Sequence, residues 1–256
     1  MSALLHIQGV GKRFGGLQAL DQVSFEVQAG QIVGVMGANG AGKTTLFALI
    51  AGNTAPSAGT IRFADRSLAG LRADQICRLG IARTFQIVKP FPMLTVLENL
   101  RTGALFGKAL APDMASADKA AWKVLEEVGL APMALQPAYT LTLSGQKRLE
   151  IARAVATGAQ LVLLDEVMAG LNPQEITEII GIIRKIREAG VTILLIEHVM
   201  HAVMSLSEHI YVLSYGKIIA QGAPLEIVNN RDVVEAYLGR GAAEQMAMAS
   251  AENPHA

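Results

Sequence analysis

The run Gly37-Ala38-Asn39-Gly40-Ala41-Gly42-Lys43-Thr44-Thr45 has the residue types and spacing of a phosphate-binding loop. It reads glycine, four residues, glycine, lysine and then a hydroxyl. Glycine-rich backbone can curl tightly enough to aim successive N–H groups at one phosphate, and a helix beginning at the loop adds its positive dipole end. Lys43 would reach the outer phosphates of a nucleoside triphosphate, and the Thr44 hydroxyl would complete the shell of a Mg²⁺ ion. A second pair, Asp165-Glu166, closes the apolar run Leu161-Val162-Leu163-Leu164. Two carboxylates at the end of a buried strand are costly unless they meet a cation or a reaction. Beside a phosphate loop, Asp165 can hold Mg²⁺ through water and Glu166 can orient an attacking water. His198, after Val191 to Ile196 and Glu197, could donate to a γ-phosphate, although a lone histidine there also reads as a surface residue.

These groups need a scaffold that brings distant segments to one edge. Gln31 to Met36, Leu161 to Leu164 and Val191 to Ile196 are unbroken apolar runs, the pattern of parallel strands buried on both faces. In open α/β sheets the ligand lies outside the carboxyl ends of such strands. That rule brings in Gln86, at the end of a strand expected over Leu79 to Gln86. Leu4 to Val10 and Val23 to Val27 read as further strands, separated by turn chemistry at Gly15-Gly16 and Ala29-Gly30. Phe14, expected on a loop before that glycine pair, either stacks on a nucleobase or packs at an edge. From Pro90 to about Ala156 prolines punctuate helical stretches with no convincing strand, which predicts an inserted helical subdomain. It closes at Leu141-Thr142-Leu143-Ser144-Gly145-Gln146-Lys147-Arg148, where a Ser-Gly-Gln helix start is either an anion site or an ordinary serine cap. Asn172-Pro173-Gln174-Glu175 starts a helix with an isoleucine stripe, ended by Gly190. Ile210 to Leu213 and Lys217 to Ala220 form a hairpin, and two short helices end the fold near Gly239.

Composition sets outer limits. With 256 residues, 22 basic and 22 acidic, the chain suits one large α/β domain and has no net charge to attract nucleic acid. No apolar stretch reaches membrane-spanning length, and Met1 to His6 lacks the features of a signal peptide, so the chain is expected to stay where it is made. The single cysteine, Cys77, fits a reducing compartment and reads as a small half-buried hydrophobe. Ala242 to Ala256 reads as disordered.

The order phosphate loop, glutamine, Ser-Gly-Gln segment, Asp-Glu and histidine resembles the ATP-binding cassette ATPases over residues 4 to about 240. Arg83-Thr84-Phe85-Gln86, Thr95-Val96-Leu97-Glu98-Asn99-Leu100, Arg148-Leu149-Glu150-Ile151-Ala152-Arg153-Ala154, Ala169-Gly170-Leu171-Asn172-Pro173 and Ala236-Tyr237-Leu238-Gly239 are most similar to the ATP-binding subunits of branched-chain amino acid importers. The resemblance implies a P-loop NTPase (RecA-like) fold. Its mostly parallel core would take residues 1–86 and 161–240, with N-terminal antiparallel strands, a helical subdomain at about 87–160 and a tail at 241–256. It also implies roles: Phe14 stacks on adenine; Gly37, Ala38, Asn39, Gly40, Ala41, Gly42, Lys43, Thr44 and Thr45 hold the phosphates; Thr44, Gln86 and Asp165 face Mg²⁺. Glu166 polarises water, His198 meets the γ-phosphate, and Gln86 also senses the membrane partner. Two copies face head to tail, so Thr142, Ser144 and Gly145 of one chain close the ATP site of the other.

Departures from the family pattern cluster at that signature. An ungapped match puts Thr142 where the family has serine and Ser144 where it has its second glycine; a one-residue slip keeps Ser144-Gly145-Gln146 but loses a glycine. Val167, Asn172 and Val199 replace a proline, an aspartate and an acid. No chemical group is lost, so the resemblance implies a competent but slow ATPase. Its expected partners are a second cassette chain (the same or a paralogue), membrane permeases meeting Val88, Phe91, Pro92, Met93 and Leu94, and indirectly an extracytoplasmic binding protein. The expected location is the cytoplasmic face of the inner membrane. Two other readings fit the same motifs: a soluble cassette ATPase acting on nucleic acid or ribosomes, and a hydrolysis-impaired subunit completed by a paralogue.

Overall fold

The computed structural model describes residues 3–85 and 90–238, which leaves Gln86, Val88 and the tail at 241–256 outside the described residues. The chain opens with strands β1 (Leu5–Phe14), β2 (Leu17–Val27) and β3 (Ile32–Met36), then helix α1 (Lys43–Ile50). Strands β4 (Ala58–Phe63) and β5 (Arg66–Ser67), helix α2 (Ala73–Leu79) and strand β6 (Ile81–Arg83) follow. Helices α3 (Val96–Phe106), α4 (Met114–Glu127) and α5 (Leu143–Ala156) come before β7 (Leu161–Asp165). The rest is α6 (Pro173–Glu188), β8 (Thr192–Ile196), α7 (Met200–Leu206), β9 (His209–Ser214), β10 (Lys217–Gly222), α8 (Pro224–Val228) and α9 (Arg231–Leu238).

Strands β3, β7 and β8 are buried along their whole length because both faces of their sheet are covered. That sheet runs β10-β9-β3-β8-β7-β6, parallel except for the β9–β10 hairpin. Its register does the positioning. Asp165 of β7 lies opposite Ile196 of β8, and Ile196 lies opposite Val35 of β3. The Asp165-Glu166 pair, Glu197-His198 and the Gly37 loop therefore emerge side by side at one edge. One face of the sheet packs against a core that includes Leu100, Leu125, Leu149, Ile179 and Ile183 from α3 to α6. The other packs with α1 and a second sheet, antiparallel and ordered β2-β1-β4-β5. Among the described residues no helix is long and apolar enough to cross a membrane.

Three local expectations change. β1 and β2 run on to Phe14 and from Leu17, so Phe14 is the last residue of a strand rather than part of a loop. The strand survives Gly9 and Gly11 because irregular register between Ile7 and Lys12 absorbs them. Helix α2 was not anticipated. It starts where the Arg72 N–H donates to Gln75 Oε1 (2.9 Å) and ends at Gly80, so Leu79 is helical and the strand after it is only Ile81–Arg83. The helix start near Ser144 is capped by Thr142, whose Oγ1 accepts the Gly145 N–H at 3.2 Å; Ser144 lies inside the first turn.

Candidate functional site

The phosphate loop joins β3 to α1 and is anchored from the sheet and from β2. A Cβ at Gly37 (φ +154°) would lie 2.2 Å from the Leu213 carbonyl, and one at Gly42 (φ +107°) 2.6 Å from that of Ala19. Only glycine fits this approach of three backbones. The Gly216 N–H donates to Ala41 O (2.9 Å) and the Asp21 N–H to Gly216 O (2.8 Å), tying loop, hairpin turn and β2 together. No side chain caps α1, whose first residues are Lys43, Thr44 and Thr45. Its leading N–H groups thus keep their capacity for an anion. The Lys43 ammonium is folded onto the loop, donating to Gly37 O (2.8 Å) and Ala38 O (3.1 Å). Burial lowers its pKa, and the Glu166 and Asp165 carboxylates pull it back up.

Phe14, Asn39 to Thr45, Glu166 and His198 line one cavity of about 660 Å³, a size ordinary for a nucleotide-sized ligand. Phe14 is half exposed at its rim, with the Lys12 ammonium 4.9 Å from the ring centroid. Gly37 and Ala38 form the loop's base, on the Lys43 side.

The acid end is a network. Asp165, almost wholly buried, accepts from Arg83 Nη2 at 2.9 Å, and Arg83 Nη1 donates to Asn53 Oδ1 at 3.3 Å. Glu166 sits in the left-handed region at φ +51°, which costs a residue with a side chain roughly 1–2 kcal/mol. Its N–H donates to Ile196 O (2.9 Å), and its carbonyl accepts from Lys147 Nζ (3.1 Å). Its carboxylate lies at hydrogen-bond distance from His198 Nε2, 2.6 Å away. Glu197, also buried, accepts the Met168 N–H at 2.8 Å, and burial pushes its pKa up to about 7.

Thr142, Ser144 and Gly145 do not meet this cavity. They line a separate one of about 310 Å³ with Arg148, Asn172 and Glu175. The Ser144 hydroxyl is buried there without a hydrogen-bond partner. Among the described residues no group of three or more His, Cys, Asp or Glu side chains could hold a metal. Thr44 lines the nucleotide-sized cavity, whereas the Asp165 carboxylate is not part of its lining and is buried against Arg83. Sequence reasoning had not assigned roles to Arg83, Lys147 or Glu197. Arg83 and Glu197 stand at strand ends, which was the available signal; Lys147, inside α5, offered none.

The ABC transporter family model matches residues 20–169, and a branched-chain amino acid ATP-binding cassette transporter model matches residues 217–243. The chain belongs to the ABC transporter family and is an ATP-binding cassette ATPase. Within it, the chain falls with the branched-chain amino acid type. It is 44% identical over 251 residues to the high-affinity branched-chain amino acid transport ATP-binding protein LivG of Salmonella typhimurium, covering 92% of this chain and 98% of the relative. BraF of Pseudomonas aeruginosa, similarly described, is 41% identical over 249 residues, covering 92% and 98%. Among solved structures, a nucleotide-free ATP-binding cassette from an ABC transporter superposes with a TM-score of 0.84 at 30% identity, covering 93% of this chain and 100% of that one. The ADP conformation of an ATP-binding cassette of an ABC transporter does so at 0.83 and 29%, covering 94% and 100%.

Proposed function

We propose that this chain hydrolyses ATP to drive import of branched-chain or related amino acids or amides, working as one of two cassette chains beneath membrane permeases at the cytoplasmic face of the inner membrane. The observation that carries the reading is the convergence of the phosphate loop, Phe14, Glu166 and His198 on one cavity. The relatives' description as transport ATP-binding proteins supports the cargo.

In this reading Phe14 stacks on the adenine, and Lys43 leaves the Gly37 and Ala38 carbonyls for the β- and γ-phosphate oxygens. The loop and α1 N–H groups take the remaining phosphate charge. Glu166 orients the attacking water and accepts its proton, while His198 turns its Nε2–H from Glu166 toward the γ-phosphate. Thr44 and Asp165 would hold Mg²⁺, which would supply positive charge against the negative charge of the phosphates. Asp165 must then exchange Arg83 for the metal side. Gln86, proposed to contact Mg²⁺ and water, lies outside the described residues.

The cavity around Thr142, Ser144 and Gly145 is separate from the chain's own phosphate loop. That separation supports a head-to-tail pair in which each chain completes the other's site. A third cavity, about 440 Å³ and lined by Arg83, Phe85, Phe91, Phe106, Glu150 and Arg153, supports a permease landing place between the sheet and the inserted helices. Phe91 is set there by buried Asn99, whose Oδ1 accepts the Phe91 N–H (2.9 Å) and whose Nδ2 donates to the Phe91 carbonyl (3.0 Å).

Glu166→Gln tests the mechanism. In the transporter reconstituted with its permeases, hydrolysis is expected to fall at least about 100-fold while ATP still binds. Unchanged hydrolysis would rule out Glu166 as the base and favour a partner chain that hydrolyses for both.

A further inference from the structure

Glu166 is held in an unfavourable main-chain conformation, φ +51°. It follows a buried parallel strand, yet its backbone is left-handed, and a residue with a side chain stays there only where surrounding contacts over-determine it. Two buried charged side chains supply those contacts. Lys147, on α5, is 4% exposed, and its Nζ donates to the Glu166 carbonyl at 3.1 Å. Glu197, at the end of β8, is 3% exposed and accepts the N–H of Met168, two residues beyond Glu166. Lys147 and Glu197 also attract each other. Glu197 is the foremost of four carboxylates offsetting the burial that depresses Lys147, the others being Glu166, Glu150 and Asp165.

We propose that Lys147 and Glu197 are positioning residues for hydrolysis: together they clamp the turn that carries Glu166 and link its setting to α5. The inference rests on the reading of Glu166 as the base. Helix α5 begins at Thr142, the segment that closes the other chain's nucleotide site in the proposed pair. Movement of α5 on closure is then transmitted through Lys147 to the carboxylate that handles water in its own site. Lys147 is suited to this because its long stem spans from the helix to a backbone oxygen, while the surrounding carboxylates oppose the loss of charge that burial favours. A neutral apolar residue of similar length, such as methionine, would fill the space but leave the Glu166 carbonyl without this donor.

The test compares Lys147→Met and Lys147→Arg in the assembled transporter, beside Glu166→Gln, reading kcat, KM for ATP, equilibrium ATP binding and yield of complex. The expected result for Lys147→Met is a kcat lowered about 10- to 100-fold with KM and ATP binding within about twofold, and recovery of most turnover in Lys147→Arg. Wild-type kcat in Lys147→Met would overturn the proposal. So would loss of assembled complex or of ATP binding in step with turnover, because Lys147 would then be purely structural. Active Glu166→Gln would sink the base reading itself; inactive Glu166→Gln beside fully active Lys147→Met would sink only the clamp.

Discussion

Asp165 and Glu197 are both buried acids at strand ends, and each avoids the cost of isolation differently. Asp165 has the Arg83 guanidinium at 2.9 Å, with both side chains largely removed from solvent. Glu197 has a backbone donor and only partial help from Lys147, so desolvation dominates and lifts its pKa from 4.5 to about 7. The folded state holds the Glu197 proton more tightly than the unfolded chain, so this group's contribution to stability is full below about pH 4.5 and is lost as pH rises through 7. Glu197→Gln keeps the acceptor for Met168 N–H but carries no charge. Its melting temperature is expected to gain on the parent as pH goes from about 5 to about 8. A gap that stays constant across that range would contradict the assignment.

At the scale of elements, the phosphate loop is held by what surrounds it. Its path lies between the Leu213 carbonyl on one side and the Ala19 carbonyl with Leu20 on the other. Gly42 joins a left-handed φ to a position where a Cβ would meet that backbone at 2.6 Å. Gly42→Ala is therefore expected to displace the start of α1 from Lys43 onward. The predicted result is loss of ATP binding by more than about 10-fold in equilibrium titration, with overall fold retained in circular dichroism. Near-normal binding would mean that the loop does not depend on this packing. Helix α5 shows the complementary case: its cap, Thr142, lines one cavity, and its buried Lys147 donates to the carbonyl of Glu166, which lines the other. One rigid element can thus report on both.

Considered whole, the molecule presents its phosphate loop and its Thr142–Gly145 segment to different cavities. A head-to-tail pair of this chain makes a prediction about mixing. Chains carrying Lys43→Ala and chains carrying Ser144→Arg should each be inactive alone, because every site then lacks one half. Co-assembled, they leave one site with both halves intact, and recovery of part of the parental ATP hydrolysis is expected, measured as phosphate release from the mixture. A mixture as inactive as either variant alone would contradict self-pairing and favour a paralogue as the second chain.

Much of this was legible in residue order. The glycine spacing of Gly37 to Thr45, the unbroken apolar runs of β3, β7 and β8, and the acids at Asp165 and Glu166 are local patterns whose physics involves neighbours in sequence. Glycine conformations, strand burial on two faces and the desolvation of a carboxylate can all be inferred from such neighbours, and so the sheet, the loop and the inserted helices were predictable. What Phe14 rests on, where Asp165 finds its cation and how Glu166 is held were not. Arg83 is 82 positions from Asp165, Lys147 is 19 from Glu166, and Glu197 is 29 from Met168. These contacts exist because parallel pairing aligns Asp165 with Ile196 and lays α5 against the sheet. The sequence by itself determined which groups could handle a phosphate and a water. Only the tertiary structure decided which charges neutralise them, because electrostatic partners are set by distance in space.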